Sequence, residues 1–396
     1  MELKIGIPKE TTLGETRVAL VPANVPMLVK KAGKGRGPSF EVLVETGAGV
    51  SSMHADADYE KAGARIVANP TELYASADIL LKVSPPIHHP KANKHEIAML
   101  REGAVIAGFL SPLTNLGAVR MMIERRITSF SLEYVPRITR AQSMDALSSM
   151  STVSGYKAVL IAAHHLGKMF PLLMTAAGTV PPAHVLVLGA GVAGLQAIAT
   201  AKRLGAKVEA FDPRPVVKEQ VKSLGAAFID MEVMEDVETA GGYAKEQSAA
   251  FLKREQEVIA ERLPKTNVVV STAQVFGKKA PVLITEDMVK MMRPGSVIVD
   301  LAAEQGGNCE LTTAGKTVER HGVTIVGVVN LPATVPADAS LMYSKNIVNF
   351  LQHVFEAPEG TLNFDDEITR GACITHDGKV LNPTIQSIME QGGSAK

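Results

Sequence analysis

The chain has 396 residues, 41 Lys+Arg against 41 Asp+Glu, and two cysteines. That length exceeds one ordinary core and predicts two domains. The balanced charge excludes an overall field that would draw the protein to nucleic acid or an anionic membrane. Cys309 and Cys373 stand in no Cys-x-x-Cys spacing, so no metal site is predicted and a reducing cytoplasm is the expected compartment. The N-terminus offers no apolar signal core. The apolar stretches 158–163, 185–201 and 323–329 fall short of the ~18–20 uninterrupted residues of a membrane span, so no direct membrane insertion is expected.

In chain order, short β-like and helical runs alternate at 4–7, 22–32, 40–45, 58–63, 79–83 and 94–101, the rhythm of a parallel, doubly wound sheet. The run from Glu45 to Val50 has two glycines after a strand and reads as a turn, and the glycine-rich 31–39 reads as a surface loop. From 141 to 167 apolar residues recur at helical spacing without proline, with only Gly155 as a weak point, predicting a long helix that connects two domains. A further long helix follows Pro336, returns the chain to the first domain, and offers apolar surface for a dimer. The predicted fold is α/β: two doubly wound parallel-sheet, Rossmann-like domains joined by long helices, with a cleft between them. The first would be discontinuous, 1–145 plus 336–396, and the second would span 146–335.

The strongest motif follows the buried-strand run 185–188. Gly189, Ala190, Gly191, Val192, Ala193 and Gly194 come at once, and they open a helix over 195–204 that stops at Gly205. The first glycine permits the tight turn, the second lets backbone approach a pyrophosphate, and the third lets helix and strand pack closely. The helix N-terminus favours the phosphate charge. The next strand, 207–211, ends on Asp212, about where an acid for the adenosine ribose belongs, with Pro213 and Arg214 after it. A carboxylate there favours NAD over NADP, although an arginine two residues on is able to meet a 2′-phosphate. Further strands are predicted at 267–272 and 296–300, and Ala273 and Gln274 would meet the cofactor at the carboxyl edge of the sheet. The acidic excursion 231–257 contains Gly242 and Tyr243; its pattern suits a mobile loop and an inert surface excursion equally well.

Arg137, Gln142, Asp145, Ser148 and Ser149 form the polar set expected to meet a nicotinamide ring, the last four being three or four apart on one face of the connecting helix. Spacing alone leaves open an ordinary first helical turn in which Asp145 serves the dipole.

At these residues the chain resembles the NAD(H)-binding component, domain I, of the proton-translocating NAD(P) transhydrogenases. The resemblance runs through Gly6-Ile-Pro-Lys-Glu, Arg17-Val-Ala-Leu, 137–149, 189–194, Gly241-Gly-Tyr-Ala-Lys-Glu, Ala303-Glu-Gln-Gly-Gly-Asn and Asn330-Leu-Pro-Ala-Thr-Val-Pro. It implies that Arg137, Gln142, Asp145 and Ser148 surround the nicotinamide end and that a mobile loop closes through Tyr243. It also implies direct hydride transfer from NADH to NADP(H) held on a partner component, with positioning residues and no general base. The partners implied are NADP(H)-binding and membrane-spanning subunits, with a homodimer of this chain, cytoplasmic and associated with the inner membrane only through those partners.

Two rivals have sequence support. Alanine dehydrogenases share the opening motifs, and matches to their substrate-holding arginine and lysine remain as Arg17 and Lys82. Their catalytic histidine is missing from 107–114, and Glu304 replaces an aspartate. Oxidising an amine needs a proton acceptor near the reacting carbon, so Arg17 and Lys82 read as retained polar packing. A non-catalytic NAD(H) sensor would need the glycine loop but not the polar set at 137–148.

Overall fold

The computed structural model describes residues 2–29, 38–231, 248–275, 277–356 and 360–393. The chain divides into two compact units, Met1–Met150 with Ala333–Lys396, and Ser151–Pro332. The first dividing point lies inside the helix Ala146–His165, because its opening residues Ala146 and Met150 are buried with the first unit.

The first unit is built on an eight-stranded sheet. Six strands run parallel, in the spatial order Arg65–Val67, Ser39–Glu45, Glu2–Ile7, Ile79–Leu81, Val105–Gly108 and Thr128–Ser131. In chain order that is third, second, first, fourth, fifth, sixth, the doubly wound arrangement. The returning C-terminal segment adds Cys373–His376 and Lys379–Val380 antiparallel beyond the last strand, so the sheet is mixed rather than purely parallel. The helix Pro336–Val354 buries Tyr343, Ile347, Val348, Phe350, Leu351 and Val354. Phe350 meets Phe130 edge to face at 5.4 Å between ring centres. The apolar stripe expected to offer a dimer surface is therefore spent on the unit's own core, with Leu341 the large apolar side chain it exposes.

The second unit repeats the order: Ala227–Ile229, Lys207–Phe211, His184–Leu188, Val268–Ser271, Val297–Asp300 and Val323–Gly327 are parallel, with Thr317–Arg320 antiparallel at the edge. Alternate strand residues enter two cores. Val185, Val187, Val268 and Val270 pack with Ala197 and Ile198, whereas Leu186, Leu188, Val269 and Ile298 pack with Ile259 and Val289. Burial on both faces explains why these strands read as continuous apolar runs.

Three helical expectations need correction. The stretch 22–32 is broken into Pro22–Asn24 and Pro26–Val29, as the missing amide of Pro26 interrupts the helical ladder. The stretch 94–101 shortens to Glu96–Met99, with Lys94–His95 paired to His88–His89. The long helix begins at Ala146, preceded by a 3-10 turn Thr139–Met144. Asp145 leaves helical geometry, with ψ 85°. Its carboxylate instead accepts from the Ser148 amide at 2.8 Å and the Ser148 hydroxyl at 2.6 Å, a side-chain cap that stops the helix extending backwards. Among the described residues no helix is long and apolar enough to cross a membrane.

Candidate nucleotide-binding site

In the second unit the loop 189–194 joins the strand His184–Leu188 to the helix Val192–Arg203. Gly189 has φ +90°, the left-handed region that side chains rarely adopt. A Cβ on Gly194 would lie 1.8 Å from the Gly189 carbonyl oxygen, so the third glycine is required by close packing of helix on strand. A Cβ on Gly191 would meet nothing within 4 Å. Gly191 is also the N-cap residue, with no side-chain cap on the helix, so the first-turn amides and the dipole face an opening suited to an anion. These features fit a dinucleotide pyrophosphate.

The helix Ala146–His165 packs closely here. A Cβ on Gly155 would fall 2.1 Å from the Ala193 carbonyl oxygen. What reads in sequence as a weak point in a helix is a contact that only glycine permits.

Asp212, at the end of Lys207–Phe211, is buried, and its carboxylate is committed. Oδ2 accepts from the Ala190 amide at 2.7 Å and Arg214 Nη2 at 2.9 Å, while Oδ1 accepts from the Arg214 amide and Nε, both at 2.9 Å. Four donors fill the acceptor positions of one carboxylate. Asp212 thus anchors the phosphate loop through Ala190, and Arg214 closes a bidentate fork on it. Both cofactor candidates are beside the loop, coupled to one another in a way their spacing does not reveal.

Ala273 and Gln274 follow the strand Val268–Ser271, next to the phosphate-loop strand. Thr272, which no sequence motif singles out, lies with its hydroxyl 3.2 and 3.1 Å from the Leu188 and Gly189 carbonyl oxygens and ties this edge to the loop. Gly242 and Tyr243 lie outside the described residues, as does most of the 31–39 loop.

In the first unit, Arg137 and Gln142 are exposed and Asp145 and Ser148 half-buried. They do not share one helical face: Gln142 belongs to the 3-10 turn, Asp145 caps, and Ser148 sits in the first α turn. The turn is held by Asn346 and Asn349, whose amides donate to the Ser143 carbonyl at 2.9 and 3.2 Å. Arg17 and Lys82 are buried and paired. Arg17 Nε and Nη2 donate to the two Glu15 oxygens at 2.7 and 2.6 Å. Burial opposes the Glu15 charge, but the guanidinium outweighs it and brings the carboxyl down to about 2. Lys82 lies 3.0 Å from both Glu10 and Glu96. Burial works against its charge, and the two carboxylates reverse that and raise its pKa. Tyr74 donates to Glu96 at 2.8 Å. Glu10, Glu15, Glu96 and Tyr74 give no periodic or motif signal in sequence.

Two doubly wound units, one with a glycine loop shaped for pyrophosphate, define the class of NAD-dependent two-domain oxidoreductases. Family models for the alanine dehydrogenase/PNT N-terminal and C-terminal domains match residues 6–154 and 158–383. The chain belongs to that family. It is 49% identical over 387 residues to the first portion of the NAD(P) transhydrogenase subunit alpha of Rhodospirillum rubrum, a separate chain, covering 97% of this chain and 99% of that one. The crystal structure of a transhydrogenase from Sinorhizobium meliloti is similar with TM-score 0.83 and 43% identity, over 95% of this chain and 99% of the other. An alanine dehydrogenase of Methanococcus maripaludis is more distant, 31% identical over 89% of this chain and 90% of its own.

Proposed function

We propose that this chain is the NAD(H)-binding component of a proton-translocating NAD(P) transhydrogenase. The observation that carries the reading is the 189–194 loop, with Gly191 open to a ligand at an uncapped helix N-terminus and Asp212 fixed beside it. The near-full-length similarity to a protein named as a portion of transhydrogenase subunit alpha supports it, and that name implies further subunits. Bound at the loop, NADH supplies the hydride that NADP⁺ on a partner component accepts.

In this reading the chain's residues bind and orient. Gly189, Ala190, Gly191, Val192, Ala193 and Gly194 hold the pyrophosphate, with Asp212, Pro213 and Arg214 at the adenosine ribose and Ala273 and Gln274 at the carboxyl edge. Gly242 and Tyr243 act as the closing loop. Arg137, Gln142, Asp145 and Ser148 align the nicotinamide end, where near contact of the reacting carbons matters and no proton acceptor is needed. A membrane-spanning partner carries the proton movement, and this chain sits at the cytoplasmic face of the inner membrane through that partner. A homodimer is included in the proposal. The hairpin Leu173–Thr175 and Gly178–Val180 supports it, because it leaves Leu172, Met174 and Val180 exposed where the helix Pro336–Val354 does not offer apolar surface.

The test is reconstitution. The purified chain should bind NADH, show no net redox chemistry alone, and exchange hydride once the NADP-binding component is added. Unaided oxidation of NADH by an amino-acid or keto-acid pair refutes the reading.

A further inference from the structure

The segment 271–274 is tied at every residue to a different region of the second unit. Ser271 Oγ donates to Asp300 at 3.0 Å, Thr272 is bonded to the phosphate-loop strand, and Gln274 Nε2 donates to the Leu301 carbonyl at 2.8 Å. The Ala273 amide donates to Asn308 Oδ1 at 3.0 Å, and its carbonyl accepts from Asn308 Nδ2 at 2.8 Å. The asparagine side chain thus pairs with Ala273 as a neighbouring strand's backbone would, just where the strand Val268–Ser271 has ended.

Asn308 is itself fixed. It is completely buried, its second amide hydrogen goes to the Pro281 carbonyl at 2.9 Å, and its backbone amide donates to Asp300 at 2.8 Å. Asp300, also completely buried, receives in addition Ser271 Oγ, the amides of Ala302 and Cys309, and Thr312 Oγ1 at 2.7–3.0 Å. A carboxylate without access to water is held here by neutral donors, which an unmade network would make costly.

We propose that Asn308, seated by Asp300, is a positioning residue for the nicotinamide-bearing half of NAD(H). This rests on the reading of 189–194 as the NAD(H) phosphate site. In this fold the dinucleotide crosses the sheet where the strand order reverses, here between His184–Leu188 and Val268–Ser271. Asp212 lies on one side of that point, the side of the adenosine half. The segment 272–274 lies on the other. Asn308 consumes both backbone groups of Ala273, so the segment meets the cofactor as a rigid edge of fixed shape rather than as a hydrogen-bond donor. Alignment of a reacting ring is sensitive to shifts of ~1 Å, and the network removes that freedom.

The test uses the full chain, wild type with Asn308→Ala and Asn308→Ser, titrated well below their melting temperatures with NADH and separately with ADP. NADH affinity should fall about tenfold while ADP affinity stays within about twofold, because ADP reaches only the adenosine side. Should Asn308→Ala fail to fold, Asn308→Ser, which keeps a small polar side chain, carries the comparison. Equal loss of both nucleotides makes Asn308 a general support of the unit, and unchanged affinity for both removes its role; either overturns the proposal. A wild-type chain that binds neither nucleotide overturns the phosphate-site reading beneath it.

Discussion

Replacing Asp212 by alanine removes the acceptor of four hydrogen bonds, and the structure assigns them unequal worth. The Ala190 amide is on a residue with 0% exposure and has Asp212 as its acceptor at 2.7 Å. Leaving it unmade costs about 1–3 kcal/mol. Arg214 retains contact with water, its side chain being 12% exposed, so its loss adds less. A total of about 2 kcal/mol corresponds to a fall of about 4–8 °C in the melting temperature of a unit this size. NADH affinity should fall as well, by about 1–3 kcal/mol, because the loop loses its anchor and the ribose loses its carboxylate.

Arg214→Ala separates the two roles. It vacates two acceptor positions on Asp212 and leaves the Ala190 bond intact, so NADH affinity should hold or rise while the melting temperature changes little. The Asp212–Arg214 pair is neutral as a whole, so it repels a 2′-phosphate less than a lone carboxylate would. Arg214 is nonetheless locked on Asp212 and not posed for a phosphate, so NADPH should still bind more weakly than NADH in the native protein. Fluorescence titration with both nucleotides, beside thermal melts, reads all of this. If Arg214→Ala loses NADH affinity as fully as Asp212→Ala, the arginine is the nucleotide contact and the anchoring argument is wrong.

Gly194→Ala should destabilise the second unit by about 3 kcal/mol, since its Cβ would sit 1.8 Å from a carbonyl oxygen; Gly191→Ala should leave the melt within about 0.5 kcal/mol yet weaken NADH about tenfold or more. Gly155→Ala should lower both stability and NADH affinity by displacing Ala193 at the helix N-terminus, and an unchanged melt would contradict the 2.1 Å approach. Glu15 has a folded-state pKa of about 2 against an ordinary 4.5. The stabilisation from its pair with Arg17, on the order of 3 kcal/mol, is therefore complete above pH ~4.5 and lost as the pH falls through ~2. Glu15→Gln should flatten acid unfolding over that window. Gln142→Asn should leave NADH affinity nearly unchanged while slowing single-turnover hydride exchange with the NADP-binding component by about tenfold or more; equal loss of both makes Gln142 an ordinary NAD ligand. L-alanine should not reduce NAD⁺ at ordinary enzyme rates, roughly 1–1000 per second.

The strands and the phosphate loop are legible in the sequence because their signals are local. A buried parallel strand is a short apolar run, and the three glycines answer to contacts within a few residues. The strand predicted at 207–211 is the strand observed. The start of the long helix is not legible, since apolar spacing continues through 141–145 and only the Asp145 side chain, by turning on Ser148, decides that the helix starts at Ala146. Gly155 misleads for the opposite reason: propensity counts a mid-helix glycine as a loss, and the compensating approach comes from Ala193, 38 residues away. Likewise, Asp300 is visible at a strand end, but its service to Asn308 and Ser271 is a product of strand order.

Arg17 and Lys82 show how far residue identity falls short of role. Two buried cations near the carboxyl ends of a parallel sheet are what a carboxylate substrate would need, and on identity alone they favour the amino-acid oxidoreductase rival. The structure gives each a carboxylate of its own chain. Arg17 holds Glu15 through both fork nitrogens, and Glu15 is further bonded by Ser84 at 2.7 Å. Lys82 is shared by Glu10 and Glu96, with Tyr74 and the backbone amides of Val83 and Ile87 on those same carboxylates. An incoming carboxylate would have to displace a partner already tethered and desolvated, leaving that partner buried without its cation, which costs several kcal/mol. It would also enter beside two carboxylates that share one ammonium, where a third negative charge is repelled. The cations are therefore committed to holding the ends of the first unit's strands together, and a hydride acceptor must be sought outside this cluster.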